Sequence, residues 1–111
     1  LEKKIQKLPV STVGGIHYIE PDNIICCSAD SNYTSILLLD GKKIVASKTL
    51  KDFELLLSPS GFFRIYNSHL INLKYVERYI KGEGGYVIMR GGMSLEVSRQ
   101  RKRELLKLLS L

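Results

Sequence analysis

The sequence predicts a mainly β domain: small antiparallel sheets built from hairpins, stacked on one another, with two short helices. Three observations predict it. Short apolar runs recur at close spacing and are separated by turn dipeptides such as Asp40-Gly41 and Gly91-Gly92. Only two stretches, "SKTLKDFELLL" and "SRQRKRELLKLL", change to a helical period. No parallel strand–helix–strand alternation, long repeat or low-complexity stretch interrupts the pattern. A chain of hairpins does not easily make one flat sheet. It curls or splits into packed small sheets, with Phe62, Phe63 and the Leu, Ile and Val positions between the layers.

Taken in order, "LEKKIQKL" places Leu1, Ile5 and Leu8 at a helical spacing. It is short and charged, so residues 1–8 are expected to be a linker remnant or appended residues, and residues 9–111 the domain. "VSTV" and "IHYI" flank Gly14-Gly15, a doublet suited to a tight hairpin. Pro21, Asp22 and Asn23 mark a turn or a single helical turn. "IICCSA" reads as a mostly buried strand, and "YTSILLL" and "KIVAS" flank the Asp40-Gly41 turn. Leu50, Phe53, Leu56 and Leu57 then share one helix face, with Ser47 or Thr49 as cap and Pro59 and Gly61 as the stop. A short strand near Phe63 to Ile65 precedes "YNSHLIN", which reads as a polar turn. "YVERYI" and "YVIMR" flank "KGEGG", and "MSLEV" follows as a third hairpin partner. Ser98 is a good N-cap for the last helix, whose Leu105, Leu106, Leu108 and Leu109 form an apolar patch for docking.

Composition narrows the function classes. A chain of 111 residues with 44% hydrophobic and 25% charged residues is an ordinary single globular domain. No apolar run approaches the roughly 20 residues a membrane span needs, and no secretory signal pattern opens the chain. The two cysteines are neighbours, Cys26 and Cys27, which predicts no disulfide framework and a reducing, cytoplasmic compartment. With only His17 and His69 beside them, no metal and no cofactor are expected. The net charge of +6 suits a nucleic acid or another anionic surface.

Three features of the chain carry candidate chemistry. Ser68 and His69 are adjacent but lie in no nucleophile-elbow pattern, so a polar turn is the better reading than a catalytic pair, and no enzyme is expected. "KGEGGYV" lacks the helix that must follow a phosphate loop, so its glycines read as hairpin residues tolerating positive φ. The last helix is different. Arg99, Arg101, Lys102 and Arg103 crowd the end that already carries about half a positive charge from aligned peptide dipoles. Each adverse interaction costs on the order of 0.3–1 kcal/mol when exposed, and a polyanion at that mouth would reverse it. A solvated basic face is the plain alternative. Base reading needs protruding donors and acceptors, and three segments offer them: "ADSNYT", "YNSHLIN" and "VSRQRK".

These segments carry a family likeness. "IICCSADSNYTSILLLDGKKI", "FFRIYNSHLINLKYV" and "GGYVIMRGGMSLEVSRQRKREL" match in order and spacing, from about Leu8 to Leu109. The chain resembles the LytTR (LytR/AlgR-type) DNA-binding domain of bacterial response regulators. The resemblance implies stacked small sheets and DNA contact through loops and element ends. Carried over by position, it implies base contacts from Tyr33 and Arg99. It implies backbone or secondary contacts from Ser31, Asn32, Asn67, Ser68, His69, Arg101 and Lys102. Tyr66 and Asn67 stand where the family often has His-Arg, which replaces a cation by an amide. The implied partners are double-stranded DNA bearing paired repeats and an upstream receiver or sensor domain. Two copies per DNA and a monomeric isolated domain are expected. The rival readings are a protein-interaction module whose basic face meets an acidic partner, and an RNA binder. "RIYNSHLINL" is not the aromatic-rich signature of an RNA recognition motif, and the chain has no Trp.

Overall fold

The computed structural model describes residues 3–110. The chain runs β1 (Leu8–Thr12), β2 (Gly15–Ile19), β3 (Ile24–Asp30), β4 (Tyr33–Leu38), β5 (Lys43–Ala46), α1 (Leu50–Leu57), β6 (Phe62–Tyr66), β7 (His69–Asn72), β8 (Val76–Ile80), β9 (Tyr86–Met89), β10 (Ser94–Glu96) and α2 (Arg99–Leu109). Single 3-10 turns lie at Pro21–Asn23, Ser58–Ser60 and Leu73–Tyr75. All strand pairs are antiparallel. They form three sheets, ordered β1-β2, β10-β9-β8 and β5-β4-β3-β7-β6.

The five-stranded sheet is the middle layer. On one face Ile24, Cys27, Ile36, Phe62 and Leu70 meet Leu8 and Val10 of β1 and Leu50, Phe53 and Leu57 of α1. On the other face Ile25, Cys26, Phe63, Ile65 and Ile71 meet Val87, Met89, Leu95 and Leu105. Adjacent residues thus serve opposite cores, and β3 shows how. Its register slips between Ile24 and Cys26, so Ile25 is a bulge residue and joins Cys26 in the second core. A matching slip in β6 falls between Arg64 and Tyr66. Burial raises the Cys26 thiol to about 11 and raises Cys27 further, so both are held as thiols.

The helices begin where their caps direct. Thr49 and Asp52 form a reciprocal capping box at α1, and the Ser98 side chain accepts from the Arg101 N–H at α2. Three sequence expectations change. "YNSHLIN" is a turn only at Asn67 and Ser68; residues 69–72 are β7, paired to both β3 and β6. A strand buried on both faces has no polar alternation to reveal it. The expected boundary between residues 8 and 9 falls inside β1. Leu8 is fully buried and Ile5 packs on the first core, although residues 3–7 form no helix; Leu1 lies outside the described residues. In α2, Leu105 is buried and Leu109 packs beside it, but Leu108 faces solvent.

One buried polar side chain ties β7 to the first core's rim. Asn72 is 1% exposed. Its Nδ2 donates to the Ile24 carbonyl at 3.0 Å and to Pro21 O at 3.4 Å, and its Oδ1 accepts from the Lys74 N–H. Replacing it by Ala strands these partners. Asn72→Ala is expected to cost about 1–3 kcal/mol, read as a fall in the thermal midpoint of roughly 4–8 °C per kcal/mol.

Candidate nucleic-acid interface

With both faces of the central sheet covered, exposed polar groups gather at one of its ends. The pairs Asp30 with Tyr33 and Ser28 with His69 place the β3–β4 turn and the β6–β7 turn side by side there. The Ala29 N–H donates to the Ser68 carbonyl at 2.9 Å, tying the two turns together. The Ser98 N–H donates to the Ile65 carbonyl at 2.8 Å, which docks the mouth of α2 on β6 beside them. Strands lie about 4.8 Å apart, so the β4 and β6 ends are separated by about 14 Å.

Each sequence-predicted residue has a definite place in this row. In the first turn Ser31, Asn32 and Tyr33 are exposed. Ser31, at φ 56°, is the only non-glycine residue with positive φ among those described. Beneath Tyr33, buried Thr34 donates its hydroxyl to the Lys48 carbonyl at 2.7 Å and pins the strand start. In the second turn Asn67 is exposed and Ser68 half-buried. Arg64 Nη2 donates to the Asn67 carbonyl at 2.6 Å, while its Nη1 pairs with Glu54 at 3.1 Å. His69 sits back in β7, half-buried, with Nδ1 3.4 Å from Ser28 Oγ and its ring 6.2 Å from that of Tyr66. Burial holds its imidazole below the ordinary value, against the pull of Glu96 and the Ser68 backbone, so it is neutral at pH 7.

At the helix mouth, the chain supplies part of its own charge balance. Arg99 Nη1 lies 3.1 Å from Glu83 Oε2, both side chains being nearly four-fifths exposed. Lys102 Nζ donates to the Gly82 carbonyl at 2.9 Å. The Arg101 guanidinium sits 5.8 Å from the Phe63 ring centroid. Glu83 and Gly82 both come from the β8–β9 loop. Gly85 takes φ 84° there, as a turn glycine should. Gly84 has another reason to be glycine: an added Cβ would lie 1.8 Å from the Val97 carbonyl oxygen.

Sequence reasoning assigned no site role to Glu83, Arg64 or Tyr66, although Tyr66 stands at a position where the family often has His. An acid between glycines facing "RQRKR" was the available signal for Glu83. Arg64, a cation within an aromatic strand segment, was the signal for a tied turn. Tyr66 lines the clefts on both sides of the Ser98 cap, together with Gln100.

Three polar tips in a row, with a cation-rich helix mouth among them, define a class of domain that meets an extended polyanion with its element ends: a nucleic-acid-binding domain. A family model described as the LytTr DNA-binding domain matches residues 14–110. The chain belongs to this family. The heme-containing CO-sensing transcriptional regulator RcoM 2 of Paraburkholderia xenovorans strain LB400 is 28% identical over 110 residues, covering 96% of this chain and 41% of that protein. The transcriptional regulatory protein LytR of Staphylococcus aureus strain N315 is 30% identical over 97 residues, covering 85% of this chain and 39% of that protein. The chain therefore spans about two fifths of the length of the curated relatives it matches. A solved structure, the LytTr DNA-binding domain of a protein described as a methyl-accepting/DNA response regulator from Bacillus cereus, shares the fold. Its TM-score is 0.81 at 18% identity, over 96% of this chain and 99% of that one.

Two measurements test this geometry. Gly84→Ala should cost on the order of 1–3 kcal/mol, with amide shift changes concentrated at Val97 and Arg99. For His69, the unfolded imidazole takes its proton near its ordinary value of about 6.5, while the folded one resists to lower pH. The neutral ring's contribution is therefore present above that ordinary value and is lost as pH falls through the folded one. Urea midpoints at pH 7.5 and 5.0 should differ less in His69→Gln than in the parent.

Proposed function

We propose that this domain reads double-stranded DNA sequence-specifically, as the non-enzymatic output module of a cytoplasmic bacterial transcription regulator. Tyr33 and Arg99 are assigned to base edges. Ser31, Asn32, Asn67, Ser68, His69, Arg101 and Lys102 are assigned to the phosphodiester backbone or to secondary contacts. The observation that carries this reading is the pair of backbone hydrogen bonds, Ala29 to Ser68 and Ser98 to Ile65, that hold three polar tips in one row. Arg99 supplies the fork that pairs with guanine, worth roughly 1–3 kcal/mol of discrimination. Neutral His69 acts as a hydrogen-bonding group and not as a phosphate cation.

The remainder of the parent protein is assigned to a receiver or sensor domain that sets when the module binds. Both relatives named above are transcriptional regulators by name, and this chain matches well under half of each. Two copies bind one DNA carrying paired repeats, and the free domain is monomeric.

Selection of bound fragments from a random duplex pool, followed by mobility-shift titration, tests this directly. A preferred duplex should emerge, with log affinity falling against log salt at a slope near −0.9 per phosphate neutralised. Arg99→Ala should relax base preference, whereas Arg101→Ala should weaken all duplexes about equally. Equal losses on every sequence for both variants would contradict this division of labour.

A further inference from the structure

We infer that Glu83 is a specificity-determining residue that acts by positioning Arg99; the inference rests on the base-reading role proposed for Arg99. An acidic side chain at the mouth of a cationic helix opposes binding of any polyanion, so its location there needs a reason. Glu83 is not there by chain flexibility. The loop that carries it is anchored on both sides. Before it, the Gly82 carbonyl accepts from Lys102 Nζ at 2.9 Å. After it, the Gly84 carbonyl accepts from Tyr79 Oη at 2.6 Å, and the Gly85 carbonyl accepts from the Val97 N–H at 2.9 Å. Gly84 lies so close to the Val97 backbone that a Cβ there would clash with it. Arg99 follows Val97 by two residues, so backbone contacts set the positions from which the Glu83 and Arg99 side chains reach each other.

The contact itself leaves Arg99 able to read a base. Glu83 engages Nη1 at 3.1 Å. The guanidinium has five N–H donors, and its Nε–Nη2 edge stays free for a side-on bidentate pair with guanine O6 and N7. The carboxylate draws the guanidinium toward the β8–β9 loop by charge and competes with phosphate for its Nη1 side. Near a duplex it also adds like-charge repulsion in every register, and only a register in which Arg99 finds guanine offsets that cost. Specificity then comes partly from weakening the wrong complexes.

The test compares Glu83→Gln with Glu96→Gln. Glu96 lines the same cleft as Glu83 and Arg99 but lies outside the ion pair, so it controls for loss of one negative charge. Both variants, the parent domain and Arg99→Ala are titrated against the selected duplex and a scrambled duplex over a range of salt, after thermal unfolding has verified folding. Glu83→Gln should tighten scrambled-duplex binding and steepen its salt slope by about 0.9, the change expected when the released Arg99 takes one more phosphate. Its affinity for the selected duplex should rise less, so the specificity ratio falls. Glu96→Gln should shift both duplexes alike. In an Arg99→Ala background, Glu83→Gln should leave the ratio unchanged. If Glu83→Gln preserves the parent's ratio, or lowers it equally without Arg99, the positioning role is overturned while the DNA-reading function stands. If the parent domain itself does not distinguish the duplexes, the base-reading proposal fails and takes this inference with it.

Discussion

The central five-stranded sheet is covered on both faces along β3, β7 and β6, and the rest of the molecule follows from that constraint. Its strands must feed two hydrophobic cores at once, so strict alternation of polar and apolar residues is not available to them. Bulges at Ile25 in β3 and next to Arg64 in β6 adjust which face consecutive residues serve. Ile24 and Cys27 thereby enter one core, while Ile25 and Cys26 enter the other. A sheet so enclosed presents no open face to a ligand. What it can present is an end, where turns leave the layers and backbone and side-chain polar groups meet solvent.

That end is organised from within the fold. Beneath the exposed residues the Thr34 hydroxyl is committed to the Lys48 carbonyl, and the two terminal nitrogens of Arg64 to Glu54 and the Asn67 carbonyl, while Arg64 Nε is buried without a protein partner among the described residues. Inter-tip backbone hydrogen bonds then set the spacing of the turns relative to one another. A rigid row loses less entropy on meeting a rigid duplex than three independent loops would. Ser31 in the left-handed region fits this picture, since a strained turn persists only where its surroundings fix it.

The sequence makes some of this legible and hides the rest for identifiable reasons. Hairpins with Gly-containing turns are readable because those turns require positive φ, as at Gly41 and at Gly91-Gly92. Both helices are readable from their caps, Thr49 and Ser98, and from a change of period. β7 is not, because Leu70 and Ile71 face opposite cores and are flanked by His69 and Asn72, which look like turn residues. The three tips can be picked out as polar segments at element ends, and the family resemblance assigns their residues. Their adjacency cannot be read locally, since it depends on hydrogen bonds between residues some 30 to 40 positions apart, such as Ala29 with Ser68 and Ile65 with Ser98. Glu83 is hidden for the same reason: only the folded loop brings it to Arg99.

The way α2 is held also decides how it can approach a groove. Leu105 is fully buried and Leu109 packs on the same core, so the helix lies fixed along the body. Inserting its length into a major groove would expose that apolar stripe and dismantle the second core. Only the first turn, from Ser98 to Lys102, stands at the rim where the sheet ends. The cations are concentrated ahead of Leu105 and Leu109, the residues by which the helix packs, while Glu104, Lys107 and Leu108 on its outer face are exposed. Their mutual repulsion and their conflict with the helix dipole are moderated by Glu83, the Gly82 carbonyl and the Phe63 ring. Each of these is a contact that a phosphate or a base edge can replace or share, so the charge that is awkward for the free domain is what the proposed DNA contact would relieve.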